Sequence, residues 1–102
     1  VAFAAFWVEN RSAFRPRGRR ALRVELRQKG VSDEVIETVL EKVDELSDGR
    51  RAAVQKMSRL QGLPVPEWRQ KMREFLSRRG FDYEIINDVI EEIVQEKYDH
   101  KD

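Results

Sequence analysis

The chain has 102 residues, of which 38% are charged and 40% are hydrophobic, and its formal net charge is only +1. This length is that of one compact domain or of two small units that share a core. The absence of cysteine excludes disulfides and thiolate metal sites, which is usual in a reducing cytosol. No apolar run approaches the roughly 20 residues that span a bilayer, so we expect a soluble, cytoplasmic protein without a membrane partner.

The sign of the charge alternates along the chain in four blocks. Residues 1–30 carry +6, residues 31–48 carry −6, residues 49–80 carry +7 and residues 81–102 carry −6. A basic block followed by an acidic block therefore occurs twice. This pattern indicates a duplicated unit rather than a uniformly neutral surface.

The sequence also repeats with an offset of 50 residues. The stretch 22–30 aligns with 72–80 without a gap, and the apolar positions of 35–43 continue the register into 85–93. The same offset pairs residues that an amphipathic pattern does not require, namely Pro16 with Pro66, Arg19 with Arg69, and Gly30 with Gly80. The alternative is an accidental register between two amphipathic helices, and these additional matches disfavour it.

Three helices are predicted in the first copy. The first has Phe3, Phe6 and Trp7 on one face and ends near residues 10–12. The second spans 19–29 and ends at Gly30, because glycine readily adopts the left-handed conformation that follows a helix. The third spans 32–46, with Ser32 as its N-cap and an apolar stripe over 35–43.

The second copy predicts the same three helices. Apolar residues of its first helix precede Gly62, its second helix spans 65–79 with Pro66 in the first turn, and its third spans 82–98. The apolar residues of the first helix are Ala53, Val54, Met57 and Leu60, and those expected to pack in the core from the second are Trp68, Met72, Phe75 and Leu76. The predicted fold is all-α, an elongated array of two tandem three-helix repeats with six helices and no strands. The predicted repeats are residues 1–48 and 49–102.

The residues that enzymes use for catalysis are scarce. The only histidine is His100, close to the end of the chain, and there is neither a cysteine nucleophile nor a glycine-rich phosphate loop. The carboxylates of 32–46 and 82–98 recur every three or four residues, which is typical of a solvated helix face. We therefore expect no catalysis, no cofactor, no metal site and no small-molecule substrate.

Arginines make the strongest candidate site. Arg19, Arg23 and Arg27 are spaced to form one row on a helix, where like charges repel by roughly 0.2 to 0.5 kcal/mol per pair. Three further arginines lie at the start of that helix, whose dipole prefers anions. In the second copy Arg69 and Arg73 continue the pattern, but Ser77 replaces the third arginine, so this site is expected to be weaker. The candidate partner-binding residues are Arg15, Arg17, Arg19, Arg20, Arg23, Arg27, Arg69 and Arg73.

Two interpretations of these arginines remain open. They bind an anionic partner, or they pair internally with the acidic third helices, as the alternating charge would allow. We expect a mixed outcome, in which the arginines at the start of the helix are free and others are bridged.

Several segments closely resemble the signature of RecX regulatory proteins. They read FWVENR at 6–11, FRPRGRRAL at 14–22, EL at 25–26 and KGV at 29–31. Later segments, RQKM at 69–72, FL at 75–76 and RGF at 79–81 followed by Tyr83, resemble the last repeat of that family. The resemblance covers essentially the whole chain. Because the family commonly has three such repeats, and because Val1 lies in an apolar stretch without Met or a capping residue before it, the natural protein is expected to extend upstream.

The resemblance implies a non-enzymatic regulator, expected to be a monomer, that binds RecA. Such a protein would lodge along the RecA filament on single-stranded DNA and restrain strand exchange, ATP hydrolysis and co-protease activity. Its basic faces, including Arg15, Arg17, Arg19, Arg20 and Arg23, would meet either acidic filament surface or the DNA backbone. The alternative function is a direct DNA-binding module of the helix-turn-helix type, since a three-helix unit with an Arg-rich helix resembles such readers.

Overall fold

The computed structural model describes residues 2–99, with side chains up to residue 96, so Val1 and His100 lie outside the described residues. Six α-helices and one 3-10 turn account for most of this range, which contains no strand. The helices are α1 (Ala2–Phe14), α2 (Arg19–Gln28), α3 (Asp33–Leu40), α4 (Glu45–Met57), α5 (Val65–Arg78) and α6 (Tyr83–Asp99), and the 3-10 turn is Ser58–Leu60. The molecule measures 49 × 22 × 21 Å. The prediction of an all-α, elongated array of six helices is confirmed.

The local signals at the predicted turns operate as expected. Gly30 and Gly80 follow α2 and α5 with φ of 83° and 89°, in the left-handed region. The Oγ atom of Ser32 accepts a hydrogen bond from the backbone N–H of Val35 at 3.4 Å, as an N-cap does. Pro66 lies in the first turn of α5, where no helical partner is needed for its missing N–H.

Each set of three helices has its own hydrophobic core. We call α1–α3 the first unit and α4–α6 the second unit. The buried residues of the first unit are Ala4, Val8, Leu22, Leu26, Ile36, Val39, Leu40 and Val43. Those of the second are Ala52, Ala53, Leu60, Trp68, Met72, Phe75, Leu76, Phe81, Ile86, Val89, Ile90 and Val94. The predicted core role of the four apolar residues of α5 is therefore confirmed.

The predicted third helix of the first copy is too long. Helix α3 ends at Leu40, and α4 begins at Glu45 after a turn that leaves Val43 buried. The side chain of Asp44 caps α4 by accepting a hydrogen bond from the Ser47 N–H at 3.1 Å, so a new helix begins where continuation of α3 was expected. Helix α4 consequently contains the predicted boundary between residues 48 and 49. The division of the chain into repeats 1–48 and 49–102 stays a prediction.

Two predicted apolar faces are also different. Small and aliphatic side chains, Ala4 and Val8, form the buried face of α1, whereas Phe3 and Phe6 are 50% and 63% exposed. In α4 the side chain of Val54 is 64% exposed. Large residues predicted to face the core thus lie on the surface, because close helix packing selects small side chains at the contact. Among the described residues, no helix is long and apolar enough to cross a membrane.

Candidate anion-binding site between the two units

The two units meet through backbone atoms at the junction of α2 and α5. The N–H of Gly18 donates to the carbonyl oxygen of Arg79 at 2.8 Å, and the N–H of Arg20 donates to that of Gly80 at 3.3 Å. A Cβ atom at position 18 would lie only 2.2 Å from the Gly80 oxygen. The glycine after α5 and the glycine before α2 therefore permit an approach that no other residue would allow.

Two buried carboxylates of α4 attach the second unit to the first. Glu45, at the start of α4, accepts a hydrogen bond from the backbone N–H of Arg19 at 2.9 Å and thereby caps α2, whose N-cap position is occupied by Gly18. Asp48 accepts a hydrogen bond from the Oγ atom of Ser12 at 3.0 Å. Only 2% and 4% of these two acidic side chains are exposed. Glu45 belongs to the carboxylates of 32–46 that were predicted to lie on a solvated helix face, and for this residue the prediction is wrong.

The Asp48 carboxylate provides a pH-dependent test of this attachment. Burial raises the pKa of Asp48 above its usual value, although hydrogen bonds from Ser12 and Arg51 oppose the shift. A raised pKa in the folded state means that stability increases as pH falls through that value. As pH falls from 7 to 4, we therefore expect the melting temperature of the wild type to rise relative to that of Asp48→Asn.

Glu37→Gln is the matched control, with the opposite sign. A hydrogen bond from Arg23 holds the pKa of Glu37 below its usual value. Stability from such a group is present above the unfolded-state pKa and is lost as pH falls through the folded-state pKa. The wild type should therefore keep its stability relative to Glu37→Gln near pH 7 and begin to lose it as pH falls below the usual pKa of a glutamate. If the melting temperature of the wild type changed with pH in the same way relative to Asp48→Asn and relative to Glu37→Gln, both pKa shifts would be contradicted.

The predicted arginine row on α2 is neutralised from within the chain. Arg23 makes two hydrogen bonds to Glu37, at 2.7 and 3.0 Å, and Arg27 bonds Asp33 at 2.9 Å. Arg19 donates from Nε and Nη2 to the carbonyl oxygens of Leu40 and Val43 and lies 3.7 Å from Glu45. Of the two interpretations left open by the sequence, internal pairing therefore applies to Arg23 and Arg27, as the expected mixed outcome allowed. A role of these residues in binding stays a prediction.

The second copy is paired differently. Arg69 bonds both oxygens of Glu91, at 3.0 and 2.9 Å, which holds the pKa of that carboxyl low. Arg73 is exposed and makes no ion pair within the described residues. The offset of 50 explains this difference, because Asn87 stands where the first copy has Glu37.

A group of arginines that is poorly neutralised lies at the junction instead. We call Arg15, Arg17, Arg20, Arg78 and Arg79 the junction cluster. Arg20 donates to the carbonyl oxygen of Ser77 at 2.7 Å, and Arg79 donates to that of Pro16 at 3.3 Å, so both guanidinium groups reach across to the other unit. A surface groove of about 530 Å³ is lined by arginines of both units, namely Arg17, Arg20 and Arg78.

Only one member of the cluster has an acidic partner among the described residues. Among the described residues, Glu25 is the only acid that forms an ion pair with any of its members, through Arg17 at 3.2 Å. The same carboxylate also accepts hydrogen bonds from Trp7 Nε1 at 2.8 Å and Arg11 Nε at 3.2 Å. Glu25 is thus shared among three donors and neutralises the cluster incompletely.

Electrostatic strain at the cluster is visible in two of its members. Burial lowers the pKa of Arg79, and the positive charges of Arg15 and Arg17 lower it further. The buried Nε atom of Arg17 makes no hydrogen bond, since its N–H is poorly aligned with the nearby Glu25. An anion in the groove, which Arg17 lines, would offset part of this positive charge.

The structure brings together only some of the predicted site residues. Arg15, Arg17 and Arg20 belong to the junction cluster, whereas the other predicted arginines lie apart from it on the faces of α2 and α5. Sequence reasoning missed Arg78 and Arg79. The available signal was the pair of basic residues directly before Gly80, but nothing local indicated that this turn would contact Gly18.

Together, the fold and the site define an all-helical tandem-repeat protein with an exposed basic groove between its repeats. Residues 1–40 match the family model described as RecX, second three-helix domain, and residues 44–90 match RecX, third three-helix domain. The chain therefore belongs to the RecX family.

Relatives of known name agree with these matches. The chain is 35% identical over 94 residues to Regulatory protein RecX of Prosthecochloris aestuarii, covering 92% of this chain and 62% of that protein. It is 33% identical over 94 residues to Regulatory protein RecX of Chlorobium limicola, with coverage of 92% and 59%. For Regulatory protein RecX of Mycolicibacterium smegmatis the identity is 36% over 95 residues, with coverage of 86% and 50%. The chain thus spans half to three-fifths of the length of these relatives. No solved structure matches it.

Proposed function

We propose that this chain binds the RecA filament on single-stranded DNA and restrains its recombinase, ATPase and co-protease activities. The relatives are named regulatory proteins, which supports a regulatory role exerted through binding. We propose further that the chain has no enzymatic activity of its own, acts as a monomer and works in the cytoplasm.

The junction cluster is the observation that supports this function best. Within the described residues only Arg17 of its five arginines forms an ion pair, and Arg17, Arg20 and Arg78 line the groove, so the groove favours an anionic surface. Guanidinium groups suit such a surface because each presents several donors in a planar fork to carboxylate or phosphate oxygens. A RecA filament on DNA offers both kinds of oxygen.

Inhibition of RecA ATP hydrolysis tests the proposal directly. Titration of the wild-type chain into RecA on single-stranded DNA should lower the hydrolysis rate. Arg20→Glu combined with Arg78→Glu should raise the half-inhibitory concentration at least about tenfold, which corresponds to 1.4 kcal/mol. Absence of any inhibition by the wild type would contradict the proposal.

A matched control separates the site from net charge. Arg59→Glu combined with Lys71→Glu changes the total charge equally, and both residues are exposed and make no ion pair within the described part of the chain. This control should inhibit like the wild type. Equal losses in the two double variants would indicate that overall charge matters rather than the junction cluster.

Direct DNA binding is the second candidate function. It is favoured by the exposed Arg15 and Arg20 beside the start of α2, because guanidinium groups suit phosphate oxygens. Tight binding of DNA without RecA, falling steeply with salt, would support it. Weak binding that RecA strengthens would support the first candidate.

A further inference from the structure

One large apolar side chain is exposed beside the junction cluster. Phe14 is the last residue of α1, directly before Arg15, and 76% of it is exposed, the largest fraction among the large hydrophobic residues described. A single exposed aromatic ring is common on protein surfaces and by itself indicates nothing. Its position next to cations that lack sufficient acids is what distinguishes it from Phe3 and Phe6.

Two cations meet at the turn that follows Phe14: Arg15 is its neighbour in the chain, and Arg79, whose guanidinium lies 4.9 Å from the centre of the Phe75 ring, approaches from the turn after α5. Arg15 is exposed and forms no ion pair within the described residues. Arg79 reaches the loop that follows Phe14 by donating to the Pro16 carbonyl oxygen at 3.3 Å, and the charges of Arg15 and Arg17 act on it there. The turn after α5 thus supplies positive charge to the turn after α1.

We infer that Phe14 and the junction cluster form a contact site for single-stranded nucleic acid, with Phe14 stacking on an unpaired base and Arg15 and Arg79 binding the adjacent phosphates. The inference deepens the proposed function and rests on it, because a filament on single-stranded DNA contains such a strand. The arginines alone would suit either phosphate or the carboxylates of an acidic protein. The aromatic ring favours the strand, since unpaired bases stack on aromatic side chains and acidic side chains do not.

The same argument distinguishes single strands from duplexes. In a duplex the base faces are already stacked on one another, so a surface ring gains little from contact with them. Phosphates are available in both forms, so arginine contacts alone would not discriminate between them. Preference for single strands therefore depends on Phe14.

Fluorescence anisotropy with the full chain tests the stacking contact. The probes are a labelled single-stranded oligothymidine and a duplex of the same length, without RecA. Phe14→Ala should weaken binding to the single strand about 5- to 150-fold, the range expected for loss of one base–aromatic stack. Phe14→Trp should retain binding, and duplex binding should change less than twofold in both variants.

Phe6→Ala is the matched control, because it removes an exposed ring from the same helix away from the junction cluster. It should bind like the wild type. Arg15→Ala should reduce the salt dependence of single-strand binding by about 0.7 in the log–log slope, as expected for one lost phosphate contact. Unaltered single-strand binding by Phe14→Ala, or equal losses for single strand and duplex, would overturn the inference. So would displacement of the strand by an equal concentration of polyglutamate peptide.

Parallel RecA assays distinguish failure of this inference from failure of the proposed function. A wild-type chain that inhibits RecA although Phe14→Ala binds the strand unchanged would overturn only the contact site. A chain that binds the strand through Phe14 but leaves RecA ATP hydrolysis unaffected would overturn only the regulatory proposal.

Discussion

Gly80→Ala is expected to lower the free energy of unfolding by about 2 to 4 kcal/mol, whereas Gly30→Ala should lower it by only about 1 kcal/mol. Both glycines follow the second helix of a unit, and both have φ near +85°, with values of 89° and 83°. They differ in what a Cβ atom would meet. At position 80 it would lie 2.3 Å from the Cβ atom of Ala21 and 2.6 Å from its backbone N, whereas at position 30 nothing lies within 4 Å.

The two variants therefore separate conformational strain from contact between the units. Backbone strain in the left-handed region is common to both variants. The clash with α2 occurs only at position 80, where the atoms in the way belong to the helix backbone and to the Cβ of Ala21 and so cannot move easily. Urea denaturation of the full chain, with ΔG extrapolated to water, measures the difference. Gly18→Ala adds a third measurement, because its φ of −77° is unstrained and only the clash with the backbone of Gly80 and Phe81 remains.

Equal effects of Gly80→Ala and Gly30→Ala would show that the close approach of the two units contributes nothing to stability. A larger effect at position 80 should be accompanied by weaker partner binding. The reason is that the junction cluster draws arginines from both units, and Arg20 and Arg79 each donate across this contact, to the carbonyl oxygens of Ser77 and Pro16. Gly30→Ala, remote from this contact, should leave binding unchanged.

Features that depend on adjacent residues were predictable from the sequence. The turn at Gly30, the cap at Ser32 and the early proline of α5 each require only a few neighbouring residues in the right order. The offset of 50 residues then carried these local assignments from one copy to the other. The six-helix fold follows from the same information, because amphipathic helices joined by short turns pack on their nearest neighbours.

Features that depend on distant residues were not predictable. Glu45 and Asp48 appeared as two more acids in an acidic block, and their burial arises only because α4 packs against α1 and α2 of the other unit. Similarly, the sequence showed that the arginines of α2 would repel one another, but not which acids would approach them. The contrast between Arg23 and Arg73 could have been predicted, since the register places Asn87 opposite Arg73.

Arg19→Ala is expected to lower the free energy of unfolding by about 2 to 4 kcal/mol, less than the roughly 3 to 5 kcal/mol found for a fully buried ion pair, because 35% of the Arg19 side chain is exposed. Arg19 donates to two backbone carbonyl oxygens at the end of α3 and its turn, at 3.3 and 2.8 Å, and its cation faces the buried Glu45. Truncation would leave these carbonyls and this carboxylate without their donor. Arg27→Ala is the control from the same row and should cost less than about 1 kcal/mol, because both it and Asp33 are mostly exposed.

A second substitution identifies the cause of the loss. Glu45→Gln removes the buried charge but retains an oxygen that can accept the backbone N–H of Arg19, which still caps α2. If the uncompensated carboxylate is responsible, the double variant Arg19→Ala/Glu45→Gln should be more stable than Arg19→Ala alone, and the coupling energy from the double-mutant cycle should exceed about 0.5 kcal/mol. If the two losses simply add, the lost carbonyl hydrogen bonds account for the effect, and Arg19 serves chiefly to hold α2 against the end of α3. Either result accounts for the lower exposure of the Arg19 side chain, at 35%, compared with that of Arg27 in the same row, at 54%.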